Sequence, residues 1–485
     1  MFQAFKSKRN ILKQSIDSIR EEFANQNNSL NCLTKNMDEH AFYLEQILYK
    51  INLLTELFNG LKQDCYELKD TCNLIARCIT SQEGLGEQKL KIVFLIHHIA
   101  AIDAILPIIQ EAKCRGHATI CITIKNNFKK NNEYGGEEDI HNGLSLLGIP
   151  HLRFANISSI EGLSLLKAIN PDYIFKQSPW DDDVEYGYRS QQIMFSKLCY
   201  TPYYGIQITE NFSPTDTYNL HTDQNLHRKA WAIFLEAADT GVISYRNSNI
   251  CGASHTVPTG LPKYEYIQNS LLHHNTAKKQ VQTDIKTILW APHHSFDKNW
   301  LNFGTFPKTY KTILEIARTG KYAFIFRPHP LFKRNLINSD LLTEEIFNTF
   351  LDDFLSLPNT DYSLTNDPIE DFKKSDLLLS DGISFLASYQ VYNKPIIWIE
   401  HQDHALLTKI GKIMTESIYI VKQDDIKYLP ELLSKIIDYG NDPLEIKRQK
   451  FVKDILLGKG RPSKKILDFL ETKRGFTRGM WNYVE

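Results

Sequence analysis

Histidine and arginine side chains directly follow two short apolar runs in the second half of the chain. His293 and His294 come after one run, and Arg327 and His329, next to prolines, end the following one. A guanidinium and an imidazole fixed just past a buried strand suit the oxygens of a pyrophosphate. We therefore predict an anion-binding site at Arg327 and His329, with a rigid surface turn as the alternative. His293 and His294 suit cleft residues and structural residues equally.

A serine, an aspartate and a glycine mark a third strand end. The segment Ser380-Asp381-Gly382-Ile383-Ser384 follows an apolar run and precedes a helix-like pattern. These residues suit an N-cap with a tight turn, and the same geometry aims the first amides of the helix at a phosphate. Cap and binding site are compatible, so we predict that Ser380, Asp381, Gly382 and Ser384 contribute to the site.

The first half of the chain offers two histidines and an acidic run. His97 and His98 follow its first apolar run and are adjacent, so at most one of them can easily face a cleft. Asp181 opens a run of three aspartates with Glu185 nearby. The turn glycine and the closing glutamate of a calcium loop are not at their places. We interpret the acidic run as a solvated loop and predict no metal site.

These segments belong to an alternating pattern of strands and helices from about residue 90 to residue 475, which is typical of βαβ units and a parallel sheet. In open α/β sheets ligands bind beyond the carboxyl ends of the strands. The segment 258–263 and the polar stretch 275–282 separate two halves, which we place at 90–258 and 259–485. The predicted strands are 92–96, 119–124, 151–154, 172–176, 203–208, 241–244, 255–258, 287–291, 323–327, 377–380 and 395–399.

The first 82 residues have a different pattern. From residue 16 to residue 75 apolar side chains recur at alternating spacings of three and four, and only Gln26 and His40 interrupt them. This spacing predicts a left-handed coiled coil and hence a homo-oligomer. The alternative is a helical hairpin that turns at 27–29 or 59–60. The basic stretch before residue 14 suits either a contact with an anionic membrane surface or a solvated helix end.

Composition and motif searches exclude several functions. The 485 residues include 56 basic and 57 acidic side chains, so the net charge of -1 provides no field for a polyanion and we predict no nucleic-acid partner. The eight cysteines contain no CxxC pair, which favours thiols in the cytoplasm. The missing GxGxxG, GxxxxGK[ST] and GxSxG motifs disfavour nicotinamide, P-loop and serine-hydrolase chemistry.

The segment 378–397 resembles, without a gap, the donor-binding segment of the CDP-glycerol glycerophosphotransferase family. The resemblance extends to Trp290-Ala-Pro, Arg327-Pro-His-Pro, Thr259-Gly-Leu-Pro-Lys and the segment 458–470. It covers roughly residues 90–472 and implies the GT-B fold, in which two Rossmann-like domains face each other across a cleft. The predicted fold class is therefore α/β, with two such domains preceded by the coiled coil.

The resemblance implies a donor and roles for the residues. The donor would be CDP-glycerol, attacked by an acceptor hydroxyl of a cell-surface glycan or lipid-linked polymer with CMP leaving, and no cofactor is required. Arg327 and His329 would neutralise the pyrophosphate, and Glu400 would bind the ribose. The phosphate and the donor alcohol would be held by Ser380, Asp381 and Ser384. Here Gly382 replaces a tyrosine of the family pattern, and His293 and His294 replace residues after the Trp-Ala-Pro motif.

The catalytic base is less directly assigned. Tyr203-Tyr204-Gly205 stands where the family has His-Gly-Thr, so we assign the base by position to His97 or His98, with Asp181 in reserve. One alternative function is a GT-B nucleotide-sugar glycosyltransferase of capsule or lipopolysaccharide synthesis. Another is a coiled-coil scaffold whose GT-B half has lost activity. The expected location is the cytoplasm, including the cytoplasmic face of the inner membrane.

Overall fold

The structure of the chain is a computed structural model that describes most of residues 89–473 and parts of the N-terminal segment. The described residues are 13–29, 31, 41, 44–45, 47–60, 62, 89–128, 133–210, 222–236, 255–272, 285–298, 301–363 and 368–473. Residues 1–69 form one compact unit and residues 70–485 form another.

The described parts of the N-terminal unit are helical. Residues 13–29 and 47–60 form helix, and both candidate hairpin turns, 27–29 and 59–60, lie within it. Apolar side chains of the predicted seam are exposed, for example Phe23 at 69% and Ile51 at 52%. Helix is therefore confirmed in these segments. The pairing of helices into a coiled coil stays a prediction, and the rest of the seam lies outside the described residues.

Among the described residues of the first half, seven parallel strands form a sheet in the order β3-β2-β1-β4-β5-β6-β7. The strand order reverses between β1 and β4. The strands are β1 Lys91–Ile96, β2 Ala118–Thr123, β3 His151–Arg153, β4 Tyr173–Lys176, β5 Lys197–Tyr200, β6 Ala232–Leu235 and β7 Thr256–Pro258. The helices are Leu106–Cys114, Glu137–Leu146, Ser159–Ile169 and Asn225–Lys229, with 3-10 turns at Ile99–Ala104, Asp181–Asp183 and Tyr186–Tyr188.

The second half, over the part that the structure describes, forms a sheet of six parallel strands in the order β10-β9-β8-β11-β12-β13. The strands are β8 Thr287–Ala291, β9 Ala323–Phe326, β10 Thr360–Tyr362, β11 Leu377–Ser380, β12 Ile396–Glu400 and β13 Tyr419–Lys422. Its α-helices are Pro262–Leu272, Phe306–Arg318, Phe332–Asn338, Glu344–Leu355, Ile369–Lys374, Ser384–Gln390, Lys409–Thr415, Leu429–Leu433, Glu445–Phe451 and Pro462–Thr472. A 3-10 helix spans Gln423–Tyr428, and π-helices span Ser434–Asp438 and Val452–Leu456.

Continuous apolar runs form the central strands because helices cover both faces of a parallel sheet. In β1, Ile92 and Phe94 pack into the core on one face, and Val93 and Leu95 pack into the core on the other. Local signals set the connecting helices. The helix Ser159–Ile169, for example, begins at a capping box, in which the Glu161 amide donates to the Ser158 hydroxyl over 3.2 Å.

Most predicted strands are confirmed within about one residue. The strand predicted at 203–208 is wrong, because Gly205 has a φ of +92° there and Ile206 and Ile208 pack into the core of the second half. The strand β5 lies earlier in the chain instead. The strand predicted at 241–244 lies outside the described residues, and β6, β10 and β13 are strands that the sequence reading did not include.

The final helix, Pro462–Thr472, packs against the first half although it belongs to the second half in sequence. Ile466, Leu467 and Leu470 belong to the core around β1, and the Tyr173 hydroxyl donates to the Leu470 carbonyl over 2.8 Å. The helix therefore ties the two halves together. Over the described residues, no helix combines the length and the apolar character that crossing a membrane requires.

Candidate functional site

The residues that continue from the carboxyl ends of the two sheets are bonded to each other. The Thr408 amide donates to the Ile208 carbonyl over 2.9 Å, and the Glu210 amide donates to the Leu406 carbonyl over 2.8 Å. Residues 206–210 follow β5, and residues 405–411 follow β12. Both carboxyl edges therefore border one region, where ligands bind in folds of this type.

Three predicted histidines form one cluster at the ends of β8 and β9. The ring centroids of His294 and His329 are 3.9 Å apart, and those of His293 and His294 are 4.5 Å apart. The Asn335 side-chain amide lies 3.0 Å from His294 Nδ1. Burial lowers the pKa of both His294 and His329 to about 4 and lowers the pKa of His293 well below its usual value. The cluster is neutral at neutral pH, and a bound anion would favour its protonated forms.

Asp381 and its neighbours brace this histidine cluster from inside the protein. The Asp381 carboxylate accepts the His293 amide over 2.6 Å, the Thr305 amide over 2.6 Å and the Thr305 hydroxyl over 2.9 Å. Burial nevertheless raises the pKa of Asp381 to about 6. The Ser380 hydroxyl donates to the Ala291 carbonyl over 2.7 Å. Asp381 and Ser380 therefore hold the strand ends together.

Gly382 and Ser384 differ in their surroundings. A Cβ added at Gly382 would lie 2.7 Å from the His293 Cδ2 atom, so the glycine allows the imidazole to pack against the chain. Ser384 is exposed at the first residue of the helix Ser384–Gln390. Of the predicted serine, aspartate and glycine residues, Ser384 is the one with a side chain exposed to solvent.

Arg327 forms a buried ion pair. Its Nη1 donates to Asp371 Oδ2 over 2.6 Å and to Ser363 Oγ over 2.8 Å, and the Arg327 and Asp371 side chains are 10% and 7% exposed. The guanidinium carbon is 5.9 Å from the centroid of Phe385, in the helix Ser384–Gln390. Arg327 is therefore fixed beside the predicted donor site by a carboxylate 44 residues away in sequence.

Glu400 ends β12 beside a histidine that the sequence reading did not include. His404 Nε2 is 3.5 Å from Glu400 Oε1, and its ring stacks on Phe303 at 5.1 Å. Trp398 packs against the same imidazole at 5.2 Å. This arrangement offers a carboxylate for hydroxyl groups next to aromatic surface. The i,i+4 spacing of Glu400 and His404 past a strand end was the available sequence signal.

In the first half, the two histidines after β1 have different environments. The side-chain oxygen Oε1 of Gln177 accepts the His97 and His98 backbone amides over 3.2 and 3.0 Å. His97 is 1% exposed, and neither of its ring nitrogens has a hydrogen-bond partner among the residues that the structure describes. Burial and the nearby Lys176 ammonium lower its pKa to about 3. His98 is half-buried against Phe128, and burial and Lys263 lower its pKa. His98 is the more accessible of the two.

Asp181 forms an ion pair with Lys176. It also accepts the Ser190 amide over 2.8 Å and the Ser190 hydroxyl over 2.7 Å. Burial opposes ionisation, but the Lys176 ammonium and the hydrogen bonds lower the pKa of Asp181 below its usual value. In the described part of the chain, no three His, Cys, Asp or Glu side chains are arranged to hold a metal ion.

Glu236 is a buried carboxyl group that the sequence reading missed. It directly follows β6, is 4% exposed, and burial raises its pKa to about 7. The phenols of Tyr204 and Tyr264 interact with it electrostatically. The sequence signal was the apolar run 232–235, whose four residues were not assigned as a strand.

Comparison with known proteins supports the fold. No protein-family model matches the sequence, and no curated protein matches it either. Among solved structures, UDP-GlcNAc 2-epimerase from Neisseria meningitidis bound to UDP-GlcNAc is similar over 79% of this chain and 100% of its own, with 14% identity and a TM-score of 0.54. The S. aureus MnaA–UDP structure is similar over 79% of this chain and 96% of its own, with 12% identity and a TM-score of 0.51. The chain has the GT-B fold predicted from its sequence.

Proposed function

We propose that the chain is an enzyme that binds a nucleotide-sugar between its two Rossmann-like halves and transfers the sugar to an acceptor hydroxyl. The observation that carries this proposal is that the two carboxyl edges adjoin, joined by the bonds between 206–210 and 405–411. The similarity to solved structures with UDP-GlcNAc and UDP in their titles supports a nucleotide-activated substrate.

In this proposal the second half binds the donor. The cluster of His293, His294 and His329 contacts the diphosphate through ring N–H groups, and protonation strengthens that contact. Glu400 accepts hydrogen bonds from the ribose hydroxyls. His404 lies between this carboxylate and Phe303, whose ring stacks on the imidazole. Asp381 and Ser380 act by holding the loop that carries the histidines.

A CDP-alcohol donor is the second candidate. Its support is the ungapped resemblance of residues 378–397 and the Arg327-Pro-His-Pro motif. The Ser380 and Asp381 side chains, which the resemblance assigns to the donor, are engaged with the protein's own backbone and with Thr305. We also propose, as parts of this second candidate function, a lipid-linked acceptor and a peripheral contact with a membrane.

A donor screen on the full chain tests these proposals. Isothermal calorimetry with UDP-GlcNAc, UDP, CDP-glycerol and CDP measures binding, and chromatography after incubation identifies the released nucleotide and any isomerised sugar. The proposal predicts binding of a nucleoside-diphosphate sugar and release of the nucleoside diphosphate. Release of CMP from CDP-glycerol would favour the second candidate. Binding of no nucleotide, or isomerisation of the sugar without transfer, would contradict the proposed transfer.

A further inference from the structure

The carboxylate of Glu236 has no partner in the part of the chain that the structure describes, apart from its own backbone amide. It lies at the carboxyl edge of the first sheet, directly after β6, with 4% of the residue exposed. No described lysine or arginine forms an ion pair with it, and burial is the main cause of its raised pKa. Buried carboxyl groups that serve only the fold are normally hydrogen-bonded, so this group needs another explanation.

A fixed turn holds the phenols beside this carboxyl group. The Tyr264 hydroxyl accepts the Ile206 amide over 3.1 Å, and a Cβ added at Gly205 would lie 2.3 Å from the same oxygen. Tyr204 and Tyr264 are the titratable groups that face Glu236, one from the loop after β5 and one from the helix Pro262–Leu272. The geometry thus places a rigid, weakly hydrated carboxyl group at the sheet edge.

The other acids and bases at this edge suit proton transfer less well. Both ring nitrogens of His97 are enclosed, and its pKa is about 3. The Asp181 carboxylate is held in an ion pair with Lys176 and accepts a hydrogen bond from the Ser190 hydroxyl. Burial raises the pKa of Glu236 to about 7, so the group is partly ionised at neutral pH. A general base works best when its pKa lies close to the working pH.

We propose that Glu236 is the catalytic base that removes the proton of the acceptor hydroxyl, an inference that rests on the proposed function. The acceptor O–H bond breaks and its proton passes to the Glu236 carboxylate. The electron pair of that bond lets the oxygen bond to the anomeric carbon of the donor sugar. The bond from that carbon to the diphosphate breaks, and the nucleoside diphosphate leaves with the electron pair. Glu236 then releases the proton to solvent.

The test compares Glu236→Gln with Glu137→Gln in the full chain. Glu137 is a matched control because it is also buried, at 3% exposure, but its carboxylate is bonded to Arg153 and Thr123. We expect Glu236→Gln to lower the single-turnover rate about 100- to 10,000-fold. Its donor affinity should stay within about twofold of wild type. Glu137→Gln should retain the wild-type rate.

The pH profile and the conservative variant separate a catalytic role from a structural one. The wild-type rate should rise with pH through about 7, because the carboxylate is the active form. Glu236→Asp should keep part of the wild-type turnover rate. The turnover rate of Glu236→Gln should no longer rise with pH through about 7. Turnover of Glu236→Gln at the wild-type rate, with the same rise with pH, would overturn this assignment and leave the proposed function intact. Wild-type protein that turns over no donor would overturn both.

Infrared difference spectroscopy tests the assignment without any substrate. Besides the band of Asp381, which should disappear with a midpoint near pH 6, the full chain should show a protonated-carboxyl band that disappears with a midpoint near pH 7, and Glu236→Gln should lack this second band. The spectrum of Glu137→Gln should keep the band. A wild-type chain without such a band, or a Glu236→Gln chain that retains it, would overturn the assignment even if the variant were inactive for another reason.

Discussion

Each parallel sheet carries a buried carboxyl group at its carboxyl edge, Glu236 in the first half and Asp381 in the second. Both are almost fully enclosed, at 4% and 3% exposure, and burial raises the pKa of both. Asp381 accepts three hydrogen bonds from His293 and Thr305, whereas no other described residue donates one to Glu236. The same chemical group therefore braces the structure at one edge and, among the described residues, has no partner at the other.

The difference extends to the neighbouring groups. At the second edge Arg327 is paired with Asp371, and Ser380 is bonded to Ala291. At the first edge the ring nitrogens of His97 have no hydrogen-bond partner within the described part of the chain. A polar group that is already hydrogen-bonded within the protein stabilises the fold and holds its neighbours in place. A polar group without such a bond can bind a ligand or exchange a proton. At the second edge Asp381, Arg327 and Ser380 thus hold the loops that carry the proposed donor-binding histidines, and the first edge retains groups for proton transfer.

The largest expected effect concerns the ion pair of the second edge. Arg327→Ala leaves the Asp371 carboxylate buried without its cation, so we expect a loss of about 3 to 5 kcal/mol in the free energy of unfolding. Urea denaturation measures it. The exposed ion pair of Arg318 with Asp353 is the control, and Arg318→Ala should change the free energy by less than about 1 kcal/mol. An equal free energy of unfolding for the two variants would show that the ion pair of Arg327 does not stabilise the fold.

The two carboxyl groups should respond oppositely to amide substitution. Asp381→Asn is measured at pH 4, where the raised pKa of about 6 keeps Asp381 protonated and little buried charge is relieved; it turns an N–H donor toward the His293 or Thr305 amide and should lower the free energy of unfolding by about 1 to 3 kcal/mol. Glu236 has a pKa of about 7, above its ordinary 4.5, so its stabilising protonation is present below pH 4.5 and is lost as pH rises through 7. At pH 8 the buried anion costs about 3 kcal/mol, which Glu236→Gln removes. A similar decrease in the free energy of unfolding for Asp381→Asn and Glu236→Gln would contradict the difference proposed between the two carboxyl groups.

A third expectation concerns the unpartnered imidazole of the first edge. The pKa of His97 is about 3 in the folded chain, below its ordinary 6.5, so the folded state binds fewer protons and loses stability as pH falls below 6.5. Between pH 7 and pH 5 this loss is about 2 kcal/mol. His97→Leu should remove that part of the pH dependence, as measured by urea denaturation at both pH values. An unchanged pH dependence would mean that His97 is protonated more easily than its burial indicates.

The sequence predicted the sheets better than the partners of the site residues. Strands β8 and β11 were predicted with their observed bounds because apolar runs buried on both faces stand out from the flanking polar residues. The segment 203–208 was misassigned because Ile206 and Ile208 pack into the other half, which spacing alone does not reveal. Glu236 was missed because the strand β6, which it follows, was not assigned from the sequence.

The partners were beyond prediction for a related reason. Asp371 lies in the helix Ile369–Lys374 and meets Arg327, and Thr305 lies before the helix Phe306–Arg318 and meets Asp381, at sequence separations of 44 and 76 residues, because the chain folds these helices against the strand ends. Residue type and spacing near a strand end indicate that a side chain lies at the edge. They do not indicate whether another part of the chain already satisfies its hydrogen bonds.

The smallest expected effect tests whether the histidine cluster binds the donor. His329→Ala removes the imidazole that stacks on His294, and we expect a loss of about tenfold in affinity for UDP by calorimetry. Because burial lowers the pKa of His294 and His329 to about 4 and a bound diphosphate favours their protonated forms, wild-type affinity should increase as pH falls from 7 to 6. The variant should show a weaker increase. His141→Ala, which changes a histidine paired with His151 at the first sheet, is the control and should bind UDP as wild type does. Unchanged affinity and pH dependence in His329→Ala would exclude His329 from the donor site and leave the cluster a structural feature of the second edge.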